Sequence, residues 1–137
     1  MSHTCPWWFG YFLLVPMRRL AQRLVRKLCS DCKVAYAPNA AELEELASES
    51  RVLPPRHMLY RAKGCVRCDR TGYQGRVAVY ELLVADAAVK RLMQTRAPVS
   101  EIAAAAAASG LRTLKQSALD KVIEGHTDLQ QVRTITS

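Results

Sequence analysis

The sequence predicts an α+β protein, a small cysteine-bearing module followed by a C-terminal bundle of about four helices. Three observations carry that reading. Two Cys-x-x-Cys pairs, Cys29/Cys32 and Cys65/Cys68, lie in the first half. The stretch RVAVYELLV, Arg76 to Val84, is rich in β-branched and aromatic residues and alternates Val77 and Val79 against Ala78 and Tyr80, as a strand does. Beyond it, helix-start signals recur between the breakers Pro98, Gly110 and Gly125.

Taken in order, residues 1–17 are aromatic, apolar and bounded by prolines, unlike everything after them, and read as an unrelated, poorly structured appendage. In MRRLAQRLVRKL, Met17 to Leu28, Leu20, Leu24 and Leu28 recur every four residues with cations between them. That spacing suits a helix face, and a short strand is the open alternative. After the first cysteine pair, Asn39 stands three residues before Glu42, the pattern of a reciprocal helix cap, and predicts a short helix from about Ala40 to Ser48. The paired prolines Pro54 and Pro55 cannot continue it.

Past the strand, Asp86 is placed to cap a helix ending before Pro98. Ser100 is placed to cap the alanine-rich EIAAAAAAS, which ends at Gly110. Thr113 with Gln116, and Thr127 with Gln130, read as two further capping boxes. Leu114, Ala118 and Val122 on one helix, and Leu129, Val132 and Ile135 on the next, supply stripes whose plain reading is core packing.

Lysine and arginine outnumber aspartate and glutamate by 20 to 12 in these 137 residues, giving a formal charge of +8. Such a balance invites nucleic acid or anionic lipid as a partner. Arg26, Lys27, Lys33, Lys63, Arg67 and Arg70 all lie close to cysteines, however, and thiolates around a divalent ion leave local negative charge for them to neutralise. The five cysteines are an odd number, and the start lacks the basic region and cleavage site of a secretory leader. The apolar run from Pro6 to Pro16 is shorter than the roughly 20 residues a membrane span needs. We therefore expect no transmembrane segment and a reducing, cytoplasmic compartment, where paired cysteines bind metal more often than they form disulfides.

Cys29, Cys32, Cys65 and Cys68 supply what a tetrahedral thiolate site needs. Each Cys-x-x-Cys bends into a knuckle that points both sulfurs at one ion, and the 32 intervening residues bring the knuckles together. Four sulfurs leave no position for water or substrate, so the expected site is structural, with Zn2+ the expected ion and iron, a disulfide or free thiols the alternatives. Cys5 is unpaired and reads as an incidental thiol. His3, His57 and His126 share no spacing with another ligand and read as surface or loop residues. No G-x-x-x-x-G-K-[ST] occurs, so nothing here cradles a phosphate in that way. A thiol redox protein is disfavoured because neither cysteine pair opens a helix in a βαβ pattern.

Three separated segments, AQRLVRKLCSDC, GCVRCDRTGYQGRVAVYELL and LRTLKQSALDKVIEGHTDLQQV, taken in that order, resemble the C-terminal part of the GspE/PulE/PilB family, the type II secretion and type IV pilus assembly ATPases. The likeness runs from about Leu20 to Ser137. It implies that the tetracysteine segment is an excursion near the end of a RecA-like motor domain. It also favours a strand for part of QRLVRKL beside RVAVYELL, which makes the first half a small zinc-stapled module with a short antiparallel strand pair. The expected division is an appendage at 1–17, the tetracysteine module with flanking strands at 18–84 and a helical subdomain at 85–137.

The resemblance places the family's nucleotide-binding loop, acidic magnesium-binding motifs and N-terminal domain upstream of Leu20, where this sequence holds only a short unrelated segment. It thus implies a truncated fragment, a structural zinc-bearing part of a protein-export motor with no catalytic or cofactor-binding residue of its own. ATP and Mg2+ would belong to full-length relatives. The implied partners are the ATPase motor domain in its hexameric ring and inner-membrane platform proteins, at the cytoplasmic face of the inner membrane, with no nucleic acid. The alternative is a basic zinc-ribbon module that binds nucleic acid, supported by charge but poor in aromatics after residue 17. On this division, loss of one thiolate should unfold residues 29–75 and spare the later helices.

Overall fold

The computed structural model describes residues 18–49 and 53–137. The appendage with Cys5 and His3 lies outside the described residues. The architecture is α+β, with two strand pairs, the four cysteines and then a series of helices. Strand β1 (Arg18–Leu28) pairs with β4 (Tyr73–Val84), and β2 (Val34–Tyr36) pairs antiparallel with β3 (Leu59–Arg61). Helix α1 (Ala40–Ser48) lies between β2 and β3, and a 3-10 turn (Val66–Cys68) between β3 and β4. Helices α2 (Ala87–Gln94), α3 (Val99–Ala108), α4 (Leu114–Ile123) and α5 (Leu129–Thr136) follow.

Two expectations were local and hold at the residue level. In α1, Asn39 accepts from the Glu42 amide and Glu42 reaches back to the Asn39 amide, so two orphan donors are satisfied reciprocally. Thr113 and Gln116 make the same box at the start of α4.

One open choice is decided and two expectations need correction. Residues 18–28 form the strand that the resemblance favours, not the helix face that leucine spacing suits: they pair with β4 and bury Val25 and Leu28 while Leu20 and Leu24 stay exposed. Helix α3 starts at Val99, with Pro98 in the capping position instead of Ser100. The proline there has φ −54°, already preset for helix entry, and the amide it lacks would have gone unpaired anyway. Helix α5 is capped by Asp128, which accepts from the Gln131 amide, and not by Thr127. The Thr127 hydroxyl is engaged elsewhere, donating to the Arg26 carbonyl at 2.8 Å.

The chain forms two compact units. The larger comprises residues 21–81 and 112–137. Its core joins Val25, Leu46, Leu59 and Val79 to Ala118, Leu119 and Val122 of α4 and Leu129 and Val132 of α5. Here the contacts depart from the boundary expected at residue 85, because α4 and α5 bury their apolar stripes against the tetracysteine module's own strands and helix. Ion pairs reinforce the arrangement: Arg133 of α5 meets Glu45 of α1 at 2.7 Å, and Lys115 of α4 meets Glu49 at 3.2 Å. The Glu81 carboxylate accepts from the Leu114 amide at 3.0 Å, which ties β4 to the start of α4.

The smaller unit contains residues 82–111, where Ala85, Val89 and Ala106 form a core with Leu83, Ile102, Ala105 and Leu111 packed around it. Asp86 holds this hairpin at both ends: it caps α2 by accepting from the Val89 amide, and it accepts from the Ser109 hydroxyl just beyond α3. The Ser109 bond, followed by the helix amides, holds the Asp86 carboxyl below the usual 3.8. A depressed carboxylate stabilises the fold above its unfolded value and loses that contribution as the pH falls through its folded value. Amide protection across 87–108 is therefore expected to fall in acid below the ordinary aspartate range. Asp86→Asn keeps the cap but removes the titration, so its protection should follow pH less steeply. Identical acid profiles for the two proteins, measured by amide exchange, would exclude this role for Asp86.

Candidate metal centre

The two cysteine pairs are brought together by backbone that the flanking strands deliver. β1 ends at Leu28, immediately before Cys29, whose amide donates to the Gly72 carbonyl at 2.9 Å. Gly72 in turn precedes β4, so the entry and exit of the excursion are joined across one hydrogen bond. Lys33 N donates to the Cys29 carbonyl at 3.0 Å, closing the first knuckle. The second is closed by the 3-10 turn, by Arg70 N on the Cys65 carbonyl at 2.7 Å, and by Thr71 Oγ1 on the Cys68 carbonyl at 2.6 Å.

The four Sγ atoms lie within 4.8 Å of one another. Cys29 to Cys65, Cys32 to Cys68 and Cys65 to Cys68 measure 3.9, 3.8 and 3.7 Å. A regular tetrahedron of thiolates each about 2.3 Å from a central ion has edges of about 3.8 Å, so these separations suit coordination. They are far from the roughly 2.05 Å of a disulfide. Cys29 and Cys68 are buried, and Cys32 and Cys65 partly so. All four cysteines named from the sequence thus converge, whereas His57 and His126 lie elsewhere, His57 Nε2 being 3.1 Å from the Ile123 carbonyl oxygen.

Burial and backbone hydrogen bonds act on these sulfurs in opposite directions. Burial raises the Cys68 thiol, but amide donors from Cys65 and Gly72, each 3.2 Å from its Sγ, together with hydrogen bonds to the Cys65 and Cys32 sulfurs, bring it down to about 6. Burial pushes Cys32 the other way, up to about 12, against a hydrogen bond from the Gly64 backbone. A divalent cation at this point would favour the thiolate form of all four sulfurs.

One member of this setting was invisible as a pair in the sequence. Asp31 and Arg67, each two residues past the first cysteine of its knuckle, meet at 2.7 Å across the two turns. The Arg67 hydrogen bond holds the Asp31 carboxyl below its usual value.

The four-sulfur cluster lies at the base of an excursion between paired strands, is followed by helices, and makes a plausible thiolate metal site. Residues 17–134 match the family model described as Type II/IV secretion system protein, and the chain belongs to that family. It is 40% identical over 119 residues to the type IV pilus assembly ATPase PilB of Thermus thermophilus, covering 85% of this chain and 13% of that protein. It is 38% identical over 117 residues to the type II secretion system ATPase E of Vibrio cholerae, covering 85% of this chain and 22% of that protein. A type IV pilus assembly ATPase of Acinetobacter baylyi, TfpB, is 34% identical over 113 residues, 82% of this chain and 19% of that protein. The chain thus spans about a fifth or less of the length of these curated relatives. No described helix is long and apolar enough to cross a membrane.

Proposed function

We propose that these residues are a structural, zinc-bearing part of a type II secretion or type IV pilus assembly motor, without a nucleotide site of their own. The observation that carries the reading is the tetracysteine cluster within a stretch matched to ATPases of both systems. Zinc fits best because four thiolates at tetrahedral separations satisfy it fully, and it brings no redox chemistry to a site without room for substrate. Cys29, Cys32, Cys65 and Cys68 would hold the ion, and the amides of Gly64, Cys65 and Gly72 would orient and stabilise the sulfurs.

Magnesium-dependent phosphoryl transfer requires a phosphate-binding loop with its lysine and groups that hold the metal. The 137 residues contain no such loop motif. Catalysis therefore resides in the remainder of the motor, which this part would adjoin within its ring at the cytoplasmic face of the membrane. Leu24 and Tyr80, large side chains on β1 and β4, are each 54% exposed, as befits strands that meet further polypeptide.

Metal analysis of protein purified without added metal should give one zinc per chain. Equilibrium binding of a labelled ATP analogue should be undetectable for this chain alone and appear only with a relative's motor domain. A zinc content near zero with four freely titratable thiols, or magnesium-dependent ATP turnover by the chain alone, would overturn the proposal.

A further inference from the structure

The end of α4 and the connector to α5 are held by residues of the tetracysteine excursion and its two flanking strands. The last carbonyls of a helix have no partner within it. Here the Lys33 ammonium, one residue past Cys32, donates to the Gly125 carbonyl at 2.9 Å. The same ammonium lies 4.4 Å from the centroid of the Tyr60 ring, which covers Gly125 so closely that a Cβ there would sit 3.0 Å from it. The following residues are bound to the strands that enter and leave the cysteines. The Leu28 amide donates to the His126 carbonyl at 2.8 Å, Arg26 N donates to Gln131 Oε1 at 3.2 Å, and Tyr73 OH donates to the capping Asp128 at 2.6 Å. Thr127 and Asp128 are buried, so water does not readily replace these partners.

We propose that the tetracysteine centre is a latch for the α4–α5 hairpin: an ion that fixes the knuckles fixes Lys33, Leu28 and Tyr73, and through them the connector at 123–128, with Lys33 as the coupling residue. The inference rests on the metal reading above. It replaces the sequence-based expectation that loss of a thiolate spares all later helices, because the shared core and these bonds make α4 and α5 part of the metal-linked unit. The α2–α3 hairpin has its own core and does not share that dependence.

The test is amide hydrogen exchange on the full chain, with zinc content measured on each sample. Stripping with a chelator should accelerate exchange at 114–136 and leave 87–108 nearly unchanged, and readdition of zinc alone should restore the protection. Lys33→Met, in the zinc-loaded state, should keep one zinc per chain yet exchange roughly tenfold faster at 123–128, as expected for loss of a partly buried charged hydrogen bond. This variant makes the test independent of how far the stripped protein holds together. A chain that takes up zinc but shows the same exchange at 114–136 with and without it overturns the latch alone. Unchanged exchange at 123–128 in the zinc-loaded variant removes Lys33 from the coupling. Failure to take up zinc at all overturns the metal reading and the latch with it.

Discussion

Cys65→Ser is expected to abolish stoichiometric zinc binding and to unfold the larger unit, strands and final helices together, while the hairpin at 87–108 keeps its amide protection. Zinc-thiolate sites contribute on the order of 10 kcal/mol or more to folding, whereas a domain's whole stability is about 5–15 kcal/mol. Losing one of four ligands therefore removes most of the margin. The extent of the loss follows from the core, in which Leu46 and Leu59 of the excursion pack with Leu119 and Val132. Serine is nearly isosteric with cysteine, so the loss cannot be assigned to a cavity. Circular dichroism and exchange, each with the zinc content determined, check the result. A folded, zinc-free variant with native protection at 114–136 would refute the coupling, and a variant that still holds one zinc per chain would refute the ligand role of Cys65.

Gly72→Ala is expected to destabilise by about 2–5 kcal/mol, combining roughly 1–2 kcal/mol for a non-glycine residue in left-handed backbone with about 1–3 kcal/mol for overpacking. Gly72 has φ +80°, and a Cβ there would lie 2.5 Å from the Cβ of Ala62, a contact that forces backbone to move. The backbone that moves is the one whose amide donates to Cys68 Sγ and whose carbonyl receives the Cys29 amide. Gly75 is the internal control: its φ is +79°, but nothing lies within 4 Å of the added atom, so Gly75→Ala incurs only the conformational part. Denaturant unfolding of both variants separates strain from close approach. Equal losses would mean that the Ala62 contact is unimportant and that zinc affinity should be unaffected at Gly72.

What could be read before folding was what depends on near neighbours. The Asn39/Glu42 and Thr113/Gln116 boxes and the four converging cysteines are patterns of short spacing, and each appears where its chemistry put it. Leu20, Leu24 and Leu28 suit either element because residues four apart share a face in a strand as well as in a helix, and the pairing of β1 with β4 decides for the strand. At Thr127 the local rule lost to a distant partner, the Arg26 carbonyl, and Asp128 took over the cap. The three-residue strands β2 and β3 escaped notice because their pairing, Val34 to Arg61 and Tyr36 to Leu59, is a property of the closed excursion. The grouping of α4 and α5 with the cysteines was hidden for the same reason, since Lys33 and Gly125 lie far apart in sequence and only their bond reveals the tie.

The larger unit is interrupted in sequence, its two parts separated by the hairpin at 82–111. On a ribosome adding roughly 5–20 residues per second, several seconds pass between synthesis of Glu81 and of the segment that carries Leu119 and Val132. Throughout that interval Val25, Leu46, Leu59 and Val79 have been made but lack the helices that complete their core. All four thiols, by contrast, are present once Cys68 has emerged, so the nascent chain can close its metal knuckles before it can bury its apolar side chains. If zinc is the ion these thiols take, as proposed above, its scarcity would be felt during translation, as nascent chains left open to chaperones and proteases, before any finished protein exists to be destabilised.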